Sequence, residues 1–230
     1  MIFLLERGIS TEINKYIEHT NLKAYAKEED IRKLCQEAID YGFQAVVVNP
    51  HYVPFVKDLL NGTNIEIVTV VGFPLGANTI ETKVYEAIDA IEKGATEIDM
   101  VANIGAIKDG DFEYVKKEIE EVHYSCDGKP LKVIIETCYL TKEEIKKMTE
   151  ICNETFVEFI KTSTGFGTRG ASLEDIDIIN ENKNDLLEIK ASGGIKDYHQ
   201  VVEYIEKGVS RIGTSSGVEI INHHCEEEHE

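Results

Sequence analysis

The sequence predicts a single-domain α/β protein of the (β/α)8 TIM-barrel class, and three observations carry that prediction. Short β-branched runs alternate with helix-period patterns along the chain. Those runs are mostly apolar, as strands buried on both faces and joined by crossover helices must be. The alternation repeats eight times in 230 residues, which suits a closed barrel better than a doubly wound sheet.

The first unit pairs the run 16–20 with a helix over 28–41. Ile31, Leu34, Cys35, Ala38 and Ile39 recur there at helical spacing and give one apolar face, and Gly42 stops the helix. Ala45-Val46-Val47-Val48 precedes a helix from Tyr52, and 65–71 precedes a helix over 80–93. The run 97–101 leads to a helix over 112–122. The run 131–135 leads to one whose entry, Thr141-Lys142-Glu143-Glu144, has capping-box spacing. Three more pairs follow: 157–161 with 173–179, 187–190 with 198–206, and 210–213 with a short helix from Gly217. Four prolines and no Ser/Gly- or Pro-rich linker leave one domain over 1–230. Within it, 1–15 is expected as an N-terminal helical extension and 219–230 as a solvated acidic C-terminal tail.

Composition narrows the function. Lysine and arginine number 24 against 43 acidic residues, a net charge of −19, so the long-range field repels polyanions and argues against nucleic acid and anionic membranes as partners. An anionic substrate must therefore be held by local donors. The five cysteines are scattered and lack CxxC spacing, which predicts reduced thiols and a cytoplasmic location. Met1-Ile2-Phe3-Leu4-Leu5 is too short for a signal-peptide core and meets Glu6 at once, and no apolar run approaches membrane-spanning length.

A barrel of this kind carries its chemistry at the strand C-terminal ends. Lys161 closes the sixth strand before Thr162-Ser163-Thr164-Gly165, and Lys190 closes the seventh before Ala191-Ser192-Gly193-Gly194. Each is either a rim ammonium in water or part of an amine-nucleophile pair. An ordinary lysine is neutral in roughly one molecule in 2,500 at pH 7, and burial and a second ammonium both raise that fraction. On the fourth strand, Glu97 and Asp99 share one face and Ile98 and Met100 the other. Asp99 then either balances a lysine or moves protons. Glu18 and Glu136 are expected to form buried ion pairs. Gly193-Gly194 and Gly213-Thr214-Ser215-Ser216-Gly217 put glycines, hydroxyls and a helix start at neighbouring strand ends, a combination that favours phosphate over plain turn chemistry.

Two motifs point elsewhere and carry less. The GxGxxG string from Gly165 to Gly170 stands four residues past Lys161, ahead of a helix that begins only near Leu173, and the next strand ends in Lys190 where a ribose-binding acid would be needed. His223-His224-Cys225 with His229 sits in the acidic tail, so no metal site is expected there. His19 and His51 are read as locally hydrogen-bonded, and Cys35, Cys126, Cys138 and Cys152 as buried or half-buried thiols.

The chain resembles 2-deoxyribose-5-phosphate aldolases from about Tyr16 to Val218. The strings that carry the likeness are Val71-Gly72-Phe73-Pro74-Leu75-Gly76, Glu97-Ile98-Asp99-Met100-Val101, Ile135-Glu136-Thr137-Cys138, Phe159-Ile160-Lys161-Thr162-Ser163-Thr164-Gly165-Phe166-Gly167, Lys190-Ala191-Ser192-Gly193-Gly194-Ile195 and Arg211-Ile212-Gly213-Thr214-Ser215-Ser216-Gly217. The resemblance implies a class I lyase, without metal or cofactor, that reversibly cleaves the sugar phosphate to D-glyceraldehyde 3-phosphate and acetaldehyde. It implies Lys161 as the Schiff-base lysine, Lys190 as the neighbour that lowers its pKa, and Asp99 as the proton-transfer acid. Thr164, Gly165, Ser192, Gly193, Gly194, Gly213, Ser215 and Ser216 would hold the substrate and its phosphate, and a homo-oligomer, dimer or tetramer, is expected. Glu18 stands where the family usually has aspartate. Arg169 stands where many relatives have glycine, and either approaches the phosphate or caps its loop outward.

Overall fold

A computed structural model describes residues 12–227, with side chains as far as Asn222. Eight parallel strands close a barrel in chain order: β1 (Ile17–Asn21), β2 (Ala45–Val48), β3 (Glu66–Val71), β4 (Glu97–Val101), β5 (Leu131–Ile134), β6 (Phe159–Lys161), β7 (Glu188–Ser192) and β8 (Arg211–Thr214). The helices are α1 (Glu28–Tyr41), α2 (Val53–Leu59), α3 (Ile80–Lys93), α4 (Ile104–Asp109), α5 (Phe112–Ser125), α6 (Lys142–Glu154), α7 (Leu173–Asn182), α8 (Tyr198–Glu206) and α9 (Gly217–Glu227).

The apolar strands are explained by burial on both faces. Val46 and Val48 point outward into the main core beneath the helices, with Ile31, Leu34 and Ala38 of α1. Ala45 and Val47 point inward and join Leu22, Val68, Val70 and Phe73 inside the barrel. The other side of the interior is charged: Glu18, Asp99, Lys132 and Lys190 are fully buried, and Glu97 and Lys161 nearly so. Register aligns these groups, with Asp99 opposite Lys132 and Lys161 opposite Lys190.

Local signals set the helix ends. Thr141 Oγ1 accepts from Glu144 N at 3.2 Å while Thr141 N donates to the Glu144 carboxylate at 2.7 Å, the capping box expected from the sequence. Gly42 ends α1 in the left-handed region. The short α4 has no counterpart in the sequence reading, because six residues with a glycine at the second position give no helical period; its Asn103 side chain caps Ala106 N at 3.0 Å.

At the termini, Ile13–Tyr16 forms a 3-10 turn with Ile13 buried, and residues 1–11 of the expected N-terminal extension lie outside the described residues. Of the segment read as a solvated tail, 219–227 belongs to α9; Ile220 is fully buried and Asn222 accepts a hydrogen bond from Tyr41 at 3.2 Å. Residues 228–230, with His229, lie outside the described residues.

One buried ion pair stands apart from the barrel mouth. Lys83 of α3 donates to Glu118 of α5 at 2.6 Å and to the carbonyls of Gly76 and Val101 at 2.8 Å each, while Asn103 N donates to Glu118 at 2.9 Å. The pair ties the β3–α3 loop and the end of β4 to α5. Burial pushes the Lys83 pKa down and the Glu118 pKa up, and each partner's charge opposes that drift.

Candidate active site

Three strand ends bring Lys161, Lys190 and Asp99 together. Lys161 Nζ donates to Asp99 Oδ2 at 2.7 Å, and Lys190 Nζ donates to the same oxygen at 2.6 Å. Lys190 also pairs with Glu18 Oε2. The other Asp99 oxygen, Oδ1, accepts from Lys132 Nζ at 3.1 Å, and Lys132 pairs as well with Glu97 and, at 3.6 Å, with Glu18. Arg211 Nε lies 3.6 Å from Glu18 Oε1.

The electrostatics separate the roles. Burial is the largest effect on Lys161 and pulls its pKa down to about 8; Asp99 works against the fall and Lys190 adds to it. Burial thus leads, and Lys190 acts in the direction the resemblance implies. Asp99 is pushed upward by burial, but Lys132, Lys161 and Lys190 together hold it well below the usual carboxylate range. Glu18 is likewise lowered against its burial by Lys132 and Lys190. Lys132 goes the other way from Lys161: burial pulls it down, but Asp99, Glu18 and Glu97 hold it above an ordinary lysine.

Above this cluster opens a cavity of about 270 Å³, with Lys161 in its wall. Thr164, Gly165, Ser192, Gly193, Gly194, Gly213 and Ser215 all line it. Ser216 does not; its N–H is taken by Thr214 Oγ1 at 3.0 Å and its carbonyl accepts from Ile220 N at 3.0 Å, so it serves the start of α9. The loops can approach because of glycine: a Cβ on Gly170 would stand 1.9 Å from the Gly193 carbonyl oxygen, and Gly193 itself has φ +85°. The GxGxxG string lies wholly in this β6–α7 loop, and α7 starts three residues after it.

Several expectations now have a place. Glu18 is in a buried ion pair, as expected. Glu136 is not: its carboxylate accepts from Thr164 N at 3.1 Å and from the Thr164 hydroxyl, so it holds the β6 loop where an ion pair was expected. Arg169 is turned to Asp175 at 2.5 and 3.0 Å and to the Gly170 carbonyl at 3.0 Å, which fixes the loop to α7 and takes the arginine away from the cavity. His19 pairs with Glu37 at 2.9 Å. Burial raises the Cys35 thiol to about 11 and those of Cys126 and Cys152 to about 12, so these cysteines are inert. Among the described residues no group of three or more His, Cys, Asp or Glu is arranged to hold a metal ion.

Sequence reasoning missed Lys132, although a lone lysine inside the apolar run 131–135 was a usable signal. It also missed Lys23 and Lys196, which line the cavity mouth.

A pair of buried strand-end lysines bridged by one carboxylate thus lies under a glycine-rich loop cavity, an arrangement that can supply a neutral amine as nucleophile. A family model described as DeoC/LacD family aldolase matches residues 12–223. The chain belongs to that aldolase family. Deoxyribose-phosphate aldolase of Thermococcus kodakarensis is 54% identical over 214 residues, covering 91% of this chain and 96% of the relative. The enzyme of the same name from Clostridium tetani is 52% identical, covering 91% and 98%. Among solved structures, an aldolase called QR15 superposes with a TM-score of 0.89 at 39% identity, covering 94% of this chain and 97% of that one. A deoxyribose phosphate aldolase from Aeropyrum pernix, described as a unique tetramer, gives 0.86 at 30% identity, with 95% of each chain covered. The fold and membership of this aldolase family therefore stand on the whole barrel. No helix among the described residues is long and apolar enough to cross a membrane.

Proposed function

We propose that the chain cleaves 2-deoxy-D-ribose 5-phosphate reversibly to D-glyceraldehyde 3-phosphate and acetaldehyde, with Lys161 as the Schiff-base residue. The observation that carries the assignment of Lys161 is its position: it is the lysine of the Asp99 cluster that lines the cavity, and its pKa is drawn down to about 8. At pH 7 such a lysine is neutral about one-tenth of the time, against roughly one part in 2,500 for a lysine at its ordinary value.

In the cleavage direction the neutral Lys161 amine attacks the C1 aldehyde of the open-chain sugar, and loss of water gives an iminium. Removal of the C3 hydroxyl proton breaks the C2–C3 bond, whose electrons flow into the iminium to leave an enamine and release glyceraldehyde 3-phosphate. Protonation of the enamine carbon and addition of water free acetaldehyde and restore Lys161. Asp99, bonded to both Lys161 and Lys190, is the group through which protons reach and leave the amine, and Lys190, itself paired with Glu18, holds it in place. The phosphate lies against the backbone of Gly165, Gly193, Gly194 and Gly213 and the hydroxyls of Thr164 and Ser215, with Ser192 shaping the wall and Lys196 and Lys23 at the rim.

A homo-oligomer is the expected assembly, supported by the tetrameric description of the A. pernix relative. The unpaired thiols of Cys35, Cys126, Cys138 and Cys152 support a reducing, cytoplasmic setting. Trapping with acetaldehyde and borohydride, followed by peptide mapping, tests the assignment: the label is expected on Lys161. An active enzyme that carries its label elsewhere would overturn it. Pyruvate offered in place of acetaldehyde should neither label the protein nor serve as donor.

A further inference from the structure

We propose that Lys132, which is outside the cavity wall, is a positioning residue that holds Asp99 by Oδ1 and offsets the carboxylate charge that would otherwise hold Lys161 as the ammonium. The inference rests on the reading of Lys161 as the nucleophile.

The whole interior has to be counted. β1 supplies Glu18, β4 supplies Glu97 and Asp99, β5 supplies Lys132, β6 supplies Lys161, β7 supplies Lys190 and β8 supplies Arg211. β2 and β3 face the same interior with Ala45, Val47, Val68 and Val70. Two further acids on inward positions, Glu66 and Glu188, stand at the strand starts, half-buried and exposed. Glu18, Glu97 and Asp99 thus meet Lys132, Lys161 and Lys190 inside the barrel, with the half-buried Arg211 of β8 3.6 Å from Glu18. In a buried site each nearby carboxylate favours Lys161 as the ammonium and each neighbouring cation favours it as the amine.

Lys132 is the cation that meets all three carboxylates, and its geometry lets it do so without touching substrate. It is fully buried, reaches a carboxylate from each of Glu18, Glu97 and Asp99, and occupies the Asp99 oxygen that Lys161 and Lys190 leave free. Without it, Asp99 and Glu97 would direct their charge toward Lys161 and hold it protonated. Lys132 and Lys161 on opposite oxygens of one carboxylate lie on the order of 6 Å apart, where a unit charge in an effective dielectric near 20 moves a pKa by about one to two units.

The test measures the pH dependence of acetaldehyde trapping at Lys161 with borohydride, read by peptide mapping, in wild type, Lys132→Met, Glu97→Gln and the double variant. Lys132→Met should move the midpoint up by about one pH unit and slow trapping about tenfold at pH 7. Glu97→Gln should move it down, and the double variant, which loses one charge of each sign, should return it to the wild-type position. A double variant displaced as far as Lys132→Met would mean that Lys132 acts by shape alone and would overturn the proposal, as would a midpoint that stays put in both single variants. If Lys132→Met does not fold, an unmoved Glu97→Gln midpoint is by itself decisive against it. Failure of wild-type Lys161 to take the label would instead defeat the assignment of the nucleophile, so the two failures are distinct.

Discussion

Lys190→Met removes the second ammonium of the site while keeping side-chain length. Lys161 and Lys190 donate to one and the same Asp99 oxygen, at 2.7 and 2.6 Å, so their nitrogens are at most about 5 Å apart. At that separation and an effective dielectric near 20, one unit charge on another is worth about 3 kcal/mol, or roughly two pKa units. Loss of Lys190 also leaves Asp99 Oδ2 to Lys161 alone, which favours the ammonium further. Burial remains and is the largest cause of the lowered value, so part of the depression should survive. The acid limb of the pH–rate profile should therefore move from about 8 toward 9 or 10. Cleavage at pH 7 should fall about ten- to a hundredfold and recover at alkaline pH. A coupled assay of glyceraldehyde 3-phosphate release between pH 6 and 10.5 measures this. An unmoved limb with less than a threefold loss at pH 7 would refute the electrostatic role of Lys190.

Lys161 should also register in stability. Its folded pKa is depressed, so the folded state binds fewer protons between pH 8 and 10.5 and stability rises with pH across that window. Lys161→Met should melt higher than wild type at pH 7, by at most about 3 kcal/mol, and the gap should close by about pH 10.5 in calorimetry. Glu118→Ala strands the fully buried Lys83 and should cost about 3–5 kcal/mol in urea unfolding; a loss below about 1 kcal/mol would contradict a tightly held pair. Gly170→Ala drives a Cβ into the Gly193 carbonyl and should raise KM for the phosphorylated substrate about tenfold or more. Turnover of unphosphorylated deoxyribose should change little, and equal damage to both substrates would remove the phosphate interpretation.

The barrel was legible because parallel strands buried on both faces write themselves as apolar runs, and a charge inside such a run is conspicuous. Lys161, Lys190 and Asp99 stood out for that reason and because they fall near the catalytic end of their strands. Lys132 carries the same signal one residue into β5, but the rule that chemistry sits at strand ends draws attention away from it. Lys83 and Glu118 were invisible for a different cause. Each lies on an amphipathic helix, where lysine and glutamate ordinarily face water, and only the packing of α3 against α5 buries them. Glu136 misled in the opposite sense: an acid at a strand end suggested an ion pair, whereas its φ of 51° turns it onto the Thr164 backbone. For Arg169 two readings stayed open, the phosphate or an outward cap on its loop, because nothing local shows that Asp175, six residues on, lies on the near face of α7; the pairing with Asp175 takes the second.

The acid excess and the anion site can be reconciled quantitatively through range. A net charge of −19 acts over the whole surface, but at physiological salt its reach is about 8 Å, and the cavity presents backbone donors and a helix start at closer quarters. Lys23 and Lys196 modify this picture, since two exposed ammoniums at the mouth add a short-range attraction that salt can weaken. Two screened surface charges should make KM rise no more than about threefold between low and physiological salt. A rise beyond tenfold would mean that long-range attraction dominates despite the sign of the protein. Lys196→Gln separates the contributions: it should remove part of the salt response while leaving the pH profile unmoved, because the ionisation of Lys161 is set below the cavity, by burial and the buried charges around Asp99.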